Sequence, residues 1–411
     1  MTAIDATTEY QDVLSEPLLS PPEIDLKRMK DYRLGRLREQ MEKHDVTLLV
    51  LTNPMSLRYA VDFRNYAMFQ SRIPIYYLFV PLKGPIVIHG ALHSDNELIS
   101  EGRKAAYINF FNAGPNHAEE ARRFANQIKE FLKEIGAEGG RIALEAVNPS
   151  ATQALLQQGV DTIDAIPLIE YAKVIKSSDE INCIRYAVDV AQLGMSRIHK
   201  ALRPGVTENA LWSLLHQTNI MHDGEWFDGR ALSSGQRTNP WYQDATAKQV
   251  NAGELVGFDT DMLGPYGYCA DVSRTLFCYP GKPSAAQREL YRRAYDEVHA
   301  NMELFRPGLS FLDVSRKAFQ QPAKFKANRY TCLAHGVGLG DEYPKIFYQE
   351  DWITNRAYDG QIEPGMVLCV ESYVGEVDGP EGVKLEQQIL ITDDGWELLS
   401  DYPFEDDLLK P

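Results

Sequence analysis

The chain has 411 residues, of which 44% are hydrophobic and 24% are charged. These values are typical of globular proteins, and they exclude disorder, collagen or a coiled coil as the main architecture. Acidic residues number 58 and basic residues 42, so the formal net charge is −16. Because nucleic acids and anionic membrane surfaces attract basic proteins, this charge argues against both as partners.

At roughly 150 residues per domain, the length predicts two or three domains. No apolar run approaches the roughly 20 residues of a membrane-spanning helix. Residues 1–5 show neither the basic region nor the apolar core of a signal peptide. The five cysteines include no CxxC pair, which is typical of reduced thiols. We therefore expect a cytoplasmic protein that binds neither nucleic acid nor a membrane.

The pattern along the first 172 residues predicts an α/β domain. Residues 1–21 are polar and contain several prolines, as expected of an extended arm. Beyond them, stretches of helical periodicity alternate with short apolar runs, which is typical of an α/β domain. Helices are predicted at 24–44 and 117–135, and strands at 46–52, 74–82, 85–89 and 141–146.

A change of pattern predicts a domain boundary. Ser177 and Glu180 are spaced as in a capping box, which predicts the start of a long helix that ends near Leu202. Strand pairs with glycine-rich turns then dominate, among helices predicted at 208–222, 285–305 and 310–320. The sequence thus predicts an α/β domain over 1–172 and an α+β domain over 173–411.

Three aspartates are predicted to meet on one hairpin. Asp259 and Asp261 lie two residues apart in an extended segment, so their side chains share a face. A turn over 264–267 places Asp271, on the return strand, opposite the same region. Aspartate is disfavoured in strands and costly to bury unpaired. The three side chains therefore either point to solvent or coordinate a metal.

Two glutamates are predicted to face each other across a second hairpin. Glu371 ends an apolar strand, and Glu386 lies in the return strand. The midpoint between them falls at Asp378 and Gly379, a dipeptide that favours a hairpin turn. The glutamates are then cross-strand neighbours, and the alternative is an exposed surface pair.

A histidine lies between the two hairpins. His335 is in the glycine-rich segment 334–340, which predicts a loop that presents the imidazole without crowding. Five carboxylates and one imidazole suit two divalent ions such as Mn²⁺, Fe²⁺, Co²⁺ or Zn²⁺. No cysteine ligand pattern occurs, so a closed structural zinc site is disfavoured.

The order of these residues resembles the pita-bread metallopeptidase superfamily, which includes Xaa-Pro aminopeptidases, prolidases, methionine aminopeptidases and creatinases. The resemblance rests on the order Asp, Asp, His, Glu, Glu, on GYCADVSRT at 267–275 and on HGVGL at 335–339. It covers 173–411 strongly, and residues 24–172 are similar to the N-terminal domain of the creatinases. The resemblance implies an α+β fold, in which a smaller α/β domain precedes a C-terminal pita-bread domain.

Departures from the peptidases favour one branch of this superfamily. The peptidases keep a histidine after the first glycine turn and another just past the HGVGL motif, and this sequence lacks both. The DxD pair at 259–261, Tyr330 five residues before His335, and Asp341 six residues after it resemble the dimethylsulfoniopropionate lyases. Peptide hydrolysis is therefore disfavoured.

The resemblance to these lyases implies β-elimination of a small cationic carboxylate, dimethylsulfoniopropionate, to dimethyl sulfide and acrylate. Asp341 would be the base, and Glu342 with the acidic cluster would raise its pKa. The implied cofactor is a pair of divalent metal ions, with iron first and manganese, zinc and cobalt as alternatives. The implied metal ligands are Asp259, Asp261, Asp271, His335, Glu371 and Glu386.

Aromatic faces would hold the sulfonium cation, which cannot donate a hydrogen bond. Tyr330 is the first candidate, followed by Trp241 and by Tyr66 and Phe69 in a predicted loop at 63–69. The resemblance also implies a homodimer, in which this loop reaches the partner's site. The open alternative is a dinuclear-metal Xaa-Pro dipeptidase or another small-molecule hydrolase. A non-catalytic binding protein is disfavoured, because all six ligand positions are filled.

Overall fold

The computed structural model describes residues 17–64, 66–92, 95–354 and 356–410. Most of the predicted N-terminal arm, residues 1–16, lies outside the described residues. Residues 17–21 are exposed and belong to no helix or strand. The backbone N–H of Leu19 donates to Nε2 of His222 at 3.1 Å. This part of the arm is therefore attached to the second half of the chain.

A six-stranded mixed sheet occupies the first half of the chain. Its strands are β1 Leu48–Leu51, β2 Tyr77–Pro81, β3 Val87–His89, β4 Glu101–Arg103, β5 Ile142–Leu144 and β6 Thr162–Asp164. The order across the sheet is β4-β3-β2-β1-β5-β6, and β1 pairs antiparallel with β2 and parallel with β5. The helices are α1 Leu26–Lys43, α2 Pro54–Val61, α3 Ala67–Arg72, α4 Phe110–Ala113, α5 His117–Glu134, α6 Pro149–Gln157 and α7 Ile166–Lys173.

Both faces of this sheet are covered, which explains the uninterrupted apolar run at β1. Leu48 and Val50 belong to the same hydrophobic cluster as Phe124 of α5. Leu49 points the other way and belongs to a cluster with Leu37 of α1. A strand that buries alternate side chains on two faces needs apolar residues throughout. The predicted helices and strands of this half occur in the predicted order, with ends that differ by a few residues.

One segment of this half differs from the prediction. The sequence predicts a loop at 63–69, whereas the structure places Phe69 inside α3. The preceding helix α2, also not predicted, begins with Asn53, whose side chain accepts a hydrogen bond from the Met55 N–H at 2.9 Å. Pro54 occupies its first helical position, where no donor is needed. The Asn-Pro dipeptide is therefore the local signal for a helix here.

Three further sheets lie in the second half of the chain. The strands are β7 Trp226–Phe227, β8 Leu232–Ser234, β9 Leu255–Asp259, β10 Met262–Leu263, β11 Cys269–Ala270, β12 Ser273–Phe277, β13 Ala334–Val337, β14 Asp341–Ile346, β15 Val367–Gly375, β16 Gly382–Ile391 and β17 Trp396–Leu398. Their orders are β11-β10-β7, β12-β9-β8 and β14-β13-β15-β16-β17. The two hairpins of the sequence analysis therefore lie in separate sheets.

The helices of this half are α8 Ser178–Ala201, α9 Glu208–Met221, α10 Ala285–Met302, α11 Phe311–Lys317, α12 Ala323–Lys326, α13 Gln349–Ile353 and α14 Asp406–Leu409. Short 3₁₀ turns occur at Gly114–Asn116, Gly235–Thr238 and Pro265–Gly267. Within the described ranges, none of the helices combines the length and apolar character needed to cross a membrane.

The long helix α8 begins where the sequence predicts. The Ser177 hydroxyl accepts a hydrogen bond from the Glu180 N–H, and the Glu180 carboxylate accepts one from the Ser177 N–H. This is the reciprocal pattern of a capping box. One hydrophobic cluster contains both Leu37 of α1 and Ile184 of α8, so the two halves pack together. The predicted division into 1–172 and 173–411 stays a prediction.

Candidate metal centre

The aspartate hairpin has the register that the sequence predicts. β9 pairs antiparallel with β12, with Asp259 opposite Ser273, and β10 continues the same register against β11. The register is centred on Tyr266, so Asp261 and Asp271 occupy matching positions on the two sides. One carboxylate oxygen of each aspartate lies within 4.8 Å of the others.

The glutamate hairpin brings a second pair of carboxylates to the same place. β15 and β16 pair antiparallel, with Glu371 directly opposite Glu386. Both side chains are almost fully buried, so the alternative of an exposed surface pair is excluded. The turn between the strands contains Asp378, whose φ of 58° is in the left-handed region typical of hairpin turns.

His335 lies in a strand, and the prediction of a glycine-rich loop is wrong. The residue belongs to β13 and is buried. The neighbouring glycine serves close packing within the sheet: a Cβ on Gly336 would lie 2.5 Å from the carbonyl oxygen of Tyr343. Glycine here permits the approach of two backbones, which is a recognised reason for glycine inside a strand.

The imidazole joins the two hairpins. Nε2 of His335 lies 3.3 Å from Glu371 Oε1, 3.4 Å from Asp271 Oδ2 and 3.8 Å from Glu386 Oε1. Nδ1 lies 3.0 Å from the carbonyl oxygen of Gly336, which can only accept a hydrogen bond. A proton on Nδ1 is donated to this carbonyl, and the lone pair of Nε2 is then free to bind a metal. This arrangement suits metal coordination, in which the second nitrogen orients the ring.

Several carboxylate oxygens of the cluster have no hydrogen-bond donor. In the part of the chain that the structure describes, these buried oxygens are Oδ1 of Asp259, Oδ1 of Asp271 and Oε1 of Glu386. Burial and then the adjacent carboxylates raise the pKa values of Asp261, Asp271 and Glu386 well above their ordinary values. Unpaired buried oxygens beside an imidazole nitrogen are the donor set of a divalent metal ion, so these residues fit one.

Cys369 also lies beside this cluster. Its sulfur and one donor atom each of Asp271, His335 and Glu386 lie within 4.8 Å of one another. Burial, and then Asp271, raise the pKa of the Cys369 thiol well above its ordinary value. The thiol donates to the backbone carbonyl oxygen of Asp271 at 3.6 Å, and the carboxylate and imidazole groups remain the candidate ligands.

One residue at the centre, Lys384 of β16, is not predicted from the sequence. Its side chain is fully buried, and Nζ lies 2.9 Å from Glu371 Oε2, 3.0 Å from Asp259 Oδ2 and 3.2 Å from Glu386 Oε2. Ser273 Oγ lies 2.8 Å away. For Asp259 and Glu386, the ammonium therefore binds one carboxylate oxygen and leaves the unpaired oxygen accessible to a metal.

The charges of Lys384 and its partners stabilise each other. Burial alone would lower the pKa of Lys384, but Asp259, Glu371 and Glu386 raise it well above its ordinary value. Burial would likewise raise the pKa of Asp259, but Lys384 and nearby hydrogen bonds bring it to about 2. The signal that could have found this lysine is its position two residues before Glu386, on the same face of the strand.

A pocket of about 320 Å³ opens beside the cluster. Its lining includes His335, Tyr330, Cys332, Asp341 and Lys345. Asp341 begins β14, and its Oδ1 lies 3.8 Å from Nδ1 of His335. Its side chain is 63% exposed, so a carboxylate stands in the pocket within reach of solvent and of a bound molecule.

Glu342 does not crowd Asp341 in the way that the sequence analysis predicts. Its carboxylate is buried and lies 3.1 Å from Lys176 Nζ and 3.3 Å from Lys173 Nζ. Burial would raise its pKa, but the two lysines lower it. It also accepts a hydrogen bond from the Leu339 N–H at 2.8 Å. The prediction fails because Lys173, the last residue of α7, and Lys176, in the linker before α8, neutralise this carboxylate.

The predicted aromatic residues of the second half lie at different depths. Tyr330 lines the pocket, and its ring centroid is 4.8 Å from Nζ of Lys384. Tyr242, largely exposed, packs against Tyr330 with centroids 5.7 Å apart and the ring planes tilted by 32°. Trp241 is buried below the cluster, 5.7 Å from the same Nζ, and packs on Tyr373. Tyr330 is therefore the predicted aromatic residue that lines the pocket, whereas Trp241 packs near the lysine.

The predicted aromatic residues of the first half lie elsewhere. Tyr66 is 71% exposed and lines a separate surface depression with Glu225 and Trp226. Phe69 contacts the Tyr66 ring on one side and the Phe111 ring on the other. Within the described residues, neither Tyr66 nor Phe69 lines the pocket beside His335.

Comparison with known proteins places this arrangement of residues in a family. Residues 182–393, just over half of the chain, match the family model of metallopeptidase family M24. The chain belongs to this family. Solved structures with the same fold include an Xaa-Pro dipeptidase from Bacillus anthracis, with a TM-score of 0.72, 21% identity and coverage of 92% of this chain and 99% of that one.

A second M24-like structure, an X-Pro aminopeptidase from Thermotoga maritima, has a TM-score of 0.71 at 18% identity and covers 90% of this chain and 98% of that one. These likenesses confirm the predicted α+β architecture, with a pita-bread domain preceded by a smaller α/β domain. The site lies within the residues that match the M24 model, and the protein is a member of this superfamily of metalloenzymes.

Two curated relatives are more similar to this chain in sequence than these solved structures are. The dimethylsulfoniopropionate lyase DddP of Roseovarius nubinhibens is 34% identical over 395 residues, which cover 94% of this chain and 88% of the relative. The protein of the same name from Roseobacter denitrificans is 33% identical with the same coverage. The resemblance to the lyase branch of the M24 superfamily therefore extends along nearly the whole chain.

Proposed function

We propose that this protein is a metal-dependent dimethylsulfoniopropionate lyase that forms dimethyl sulfide and acrylate by β-elimination. The observation that carries the proposal is the carboxylate of Asp341, which stands in the pocket 3.8 Å from the imidazole of His335. A carboxylate there can remove a proton from a carbon acid. The similarity to relatives named as lyases along nearly the whole chain supports the same function.

In this mechanism Asp341 takes the proton from the carbon next to the substrate carboxylate. The electron pair of that C–H bond forms the C=C bond of acrylate, and the bond between the β carbon and sulfur breaks. Sulfur leaves with the electron pair of the broken C–S bond as neutral dimethyl sulfide, and Asp341 later returns its proton to water. Because the side chain is exposed in the free protein, substrate entry itself supplies the desolvation that makes a carboxylate a stronger base.

The aromatic faces beside the pocket fit the cationic end of the substrate. A sulfonium ion has no hydrogen to donate, so it is held by contact with electron-rich rings. Tyr330 provides a ring at this position, and the ring of Tyr242 packs against it at an angle of 32°. Burial and then Glu371 raise the pKa of Tyr330 far above its ordinary value, so its hydroxyl stays protonated.

We propose that the cluster holds two divalent metal ions, with iron as the first expectation and manganese, zinc or cobalt as alternatives. The unpaired buried oxygens and the Nε2 lone pair support this assignment. Such ions would supply positive charge for the substrate carboxylate and for the enolate-like charge of the transition state. The residues proposed to hold them are Asp259, Asp261, Asp271, His335, Glu371 and Glu386.

The function is tested by measuring dimethyl sulfide in the headspace above purified, metal-loaded protein and dimethylsulfoniopropionate. We expect release by the wild type and a loss of about 10²- to 10⁴-fold in Asp341→Asn, because a positioned base contributes that much. The matched control is Asp378→Asn, an exposed aspartate in a hairpin turn, which should keep full activity. Cleavage of an Xaa-Pro dipeptide without any dimethyl sulfide would instead establish the alternative, a dinuclear-metal dipeptidase.

A further inference from the structure

A second lysine beside the centre, Lys345, has no role in the mechanism above. It lies on β14 directly opposite His335 of β13. Directly opposite residues of an antiparallel pair project from the same face of the sheet, with Cβ atoms about 4.5–5.5 Å apart. Lys345 and His335 accordingly line the same pocket, together with Asp341.

Lys345 differs from the other buried lysines near the centre in its partners. Lys384, Lys173 and Lys176 each lie within 3.3 Å of at least one carboxylate oxygen. Nζ of Lys345 donates to Oγ1 of Thr331 at 3.0 Å, and among the described residues it has no carboxylate within 4.0 Å. An ammonium with a neutral partner, in a hydrogen bond that is exposed to solvent, can accept an anionic ligand.

We propose that Lys345 binds the substrate carboxylate and thereby fixes which end of the zwitterion faces Asp341. This inference rests on the proposed lyase function. A carboxylate has two oxygens, so one can contact Lys345 while the other faces the metal cluster. The cationic end then extends toward the ring of Tyr330, and the carbon next to the carboxylate lies near Asp341.

The position of Lys345 also suits the chemistry. When Asp341 removes the proton, negative charge moves onto the carboxylate oxygens before the carbon–sulfur bond has fully broken. A fixed ammonium beside those oxygens stabilises this charge more than it stabilises the bound substrate. The backbone supports this placement, because the Lys345 N–H donates to the Tyr358 hydroxyl at 2.7 Å and fixes the edge of β14.

The test measures binding of propionate, a simple carboxylate, by calorimetry with metal-loaded and metal-free protein. We expect Lys345→Met to weaken propionate binding about 10- to 100-fold, as for the loss of a charged hydrogen bond, while Lys345→Arg largely restores it. Thr331→Val is the matched control: it removes the neutral partner of the lysine but keeps the ammonium, and should change affinity less than threefold. Lys345→Gln serves if the methionine variant does not fold.

Propionamide, the uncharged amide of the propionate probe, separates charge recognition from general damage. Its inhibition constant should be equal in wild type and Lys345→Met. Wild-type affinity of the methionine variant for propionate would overturn the inference, and so would equal weakening of propionate and the amide. A wild type that binds propionate through Lys345 but releases no dimethyl sulfide would contradict the lyase function and leave the carboxylate site standing.

Discussion

At the scale of single residues, the main finding is an ammonium group inside a set of carboxylates. Lys384 binds Asp259, Glu371 and Glu386 at distances of 2.9–3.2 Å and is fully buried. Like charges this close and this deep repel strongly unless a cation lies among them. The lysine therefore lets the carboxylates stay together while one oxygen of Asp259 and of Glu386 remains unpaired.

Replacing this lysine should destabilise the metal-free protein. In Lys384→Met three buried carboxylates lose their cation, and removal of one partner from a buried ion pair costs about 3–5 kcal/mol of unfolding free energy. The loss should shrink when the divalent metal is added, because its charge replaces part of the lost one. Urea unfolding of metal-free and metal-loaded protein measures both quantities.

The control for this experiment is Lys345→Met, which removes a lysine of the same region that has no carboxylate partner in the described chain. Its free energy of unfolding should stay within about 1 kcal/mol of wild type, as expected of a group outside any buried ion pair. Equal stability of Lys384→Met and wild type without metal would contradict the role given to Lys384.

Metal affinity should depend on pH in a defined direction. The raised pKa values of Asp261, Asp271 and Glu386 mean that these groups retain protons, in the metal-free protein, above the ordinary titration range of carboxylic acids. A metal must displace those protons, so its apparent affinity rises with pH between the ordinary and the raised values. Calorimetry in two buffers of different ionisation enthalpy counts the protons released. Proton-free binding throughout this window would contradict the prediction.

At the scale of elements, the β13–β14 connection is held by charge. The Glu342 carboxylate pairs with Lys173 at the end of α7 and with Lys176 in the following linker, and it accepts a hydrogen bond from the Leu339 N–H of the connection itself. Packing leaves no spare room there, because a Cβ on Gly338 would lie 2.4 Å from the Glu342 carboxylate. The side chain of Asp341 is therefore placed by its buried neighbour.

Neutralising that neighbour should weaken the element and displace Asp341. Glu342→Gln leaves buried Lys176 without a carboxylate, so we expect a loss of about 3–5 kcal/mol in unfolding free energy. The control is Glu397→Gln, which breaks an exposed pair with Arg185 and should cost less than about 1 kcal/mol. Urea unfolding compares the two variants, and equal losses would argue against a special role for the buried cluster.

The hairpins of the centre can be predicted from sequence, because the turn residues are recognisable locally and the two strands pair outward from the turn. The register of Glu371 against Glu386 follows from the turn at Asp378, and that of Asp261 against Asp271 from the turn at 264–267. The strand that carries His335 cannot be predicted this way. Its glycines also suit a loop, and only the approach of β14 explains them.

Lys384 escapes prediction for a different reason. It shares a face with Glu386, so its position in the strand indicates that it points to the centre. Lysine is seldom fully buried, and the residue type therefore argues for solvent. Only the packing of Trp241 and Tyr330 around Nζ shows that the side chain is enclosed. Contacts between segments distant in the sequence determine the burial of Lys384, and they likewise determine the pairing of Glu342 with Lys173 and Lys176.

At the scale of the whole molecule, an aromatic patch lies on the first half of the chain. We use this name for Tyr66, Phe69, Phe110 and Phe111, in which the ring of Phe69 contacts those of Tyr66 and Phe111. Phe110 and Phe111 are 70% and 71% exposed. Contiguous exposed aromatic groups are typical of a protein–protein contact. The homodimer that the family resemblance implies stays a prediction, and we propose that a second copy of the chain covers this patch.

Light scattering at micromolar concentration should therefore give the mass of a dimer, and Phe111→Asp should shift it toward the monomer. A charge in the centre of an apolar contact is costly to bury, which gives the expected direction. The control is Leu156→Asp, at an exposed position on α6 outside the aromatic patch. A monomeric wild type would rule out the dimer.

The buried ammonium of Lys384 allows folding and metal binding to be two separate steps. In small zinc-dependent domains, folding and metallation are a single step, because nothing else holds the ligands together. Here Lys384 offsets part of the repulsion without a metal, so we expect the chain to fold before it binds the proposed ions. Maturation then depends on which ion is delivered, and a chelator should yield an empty but folded protein that can be recharged with a different ion.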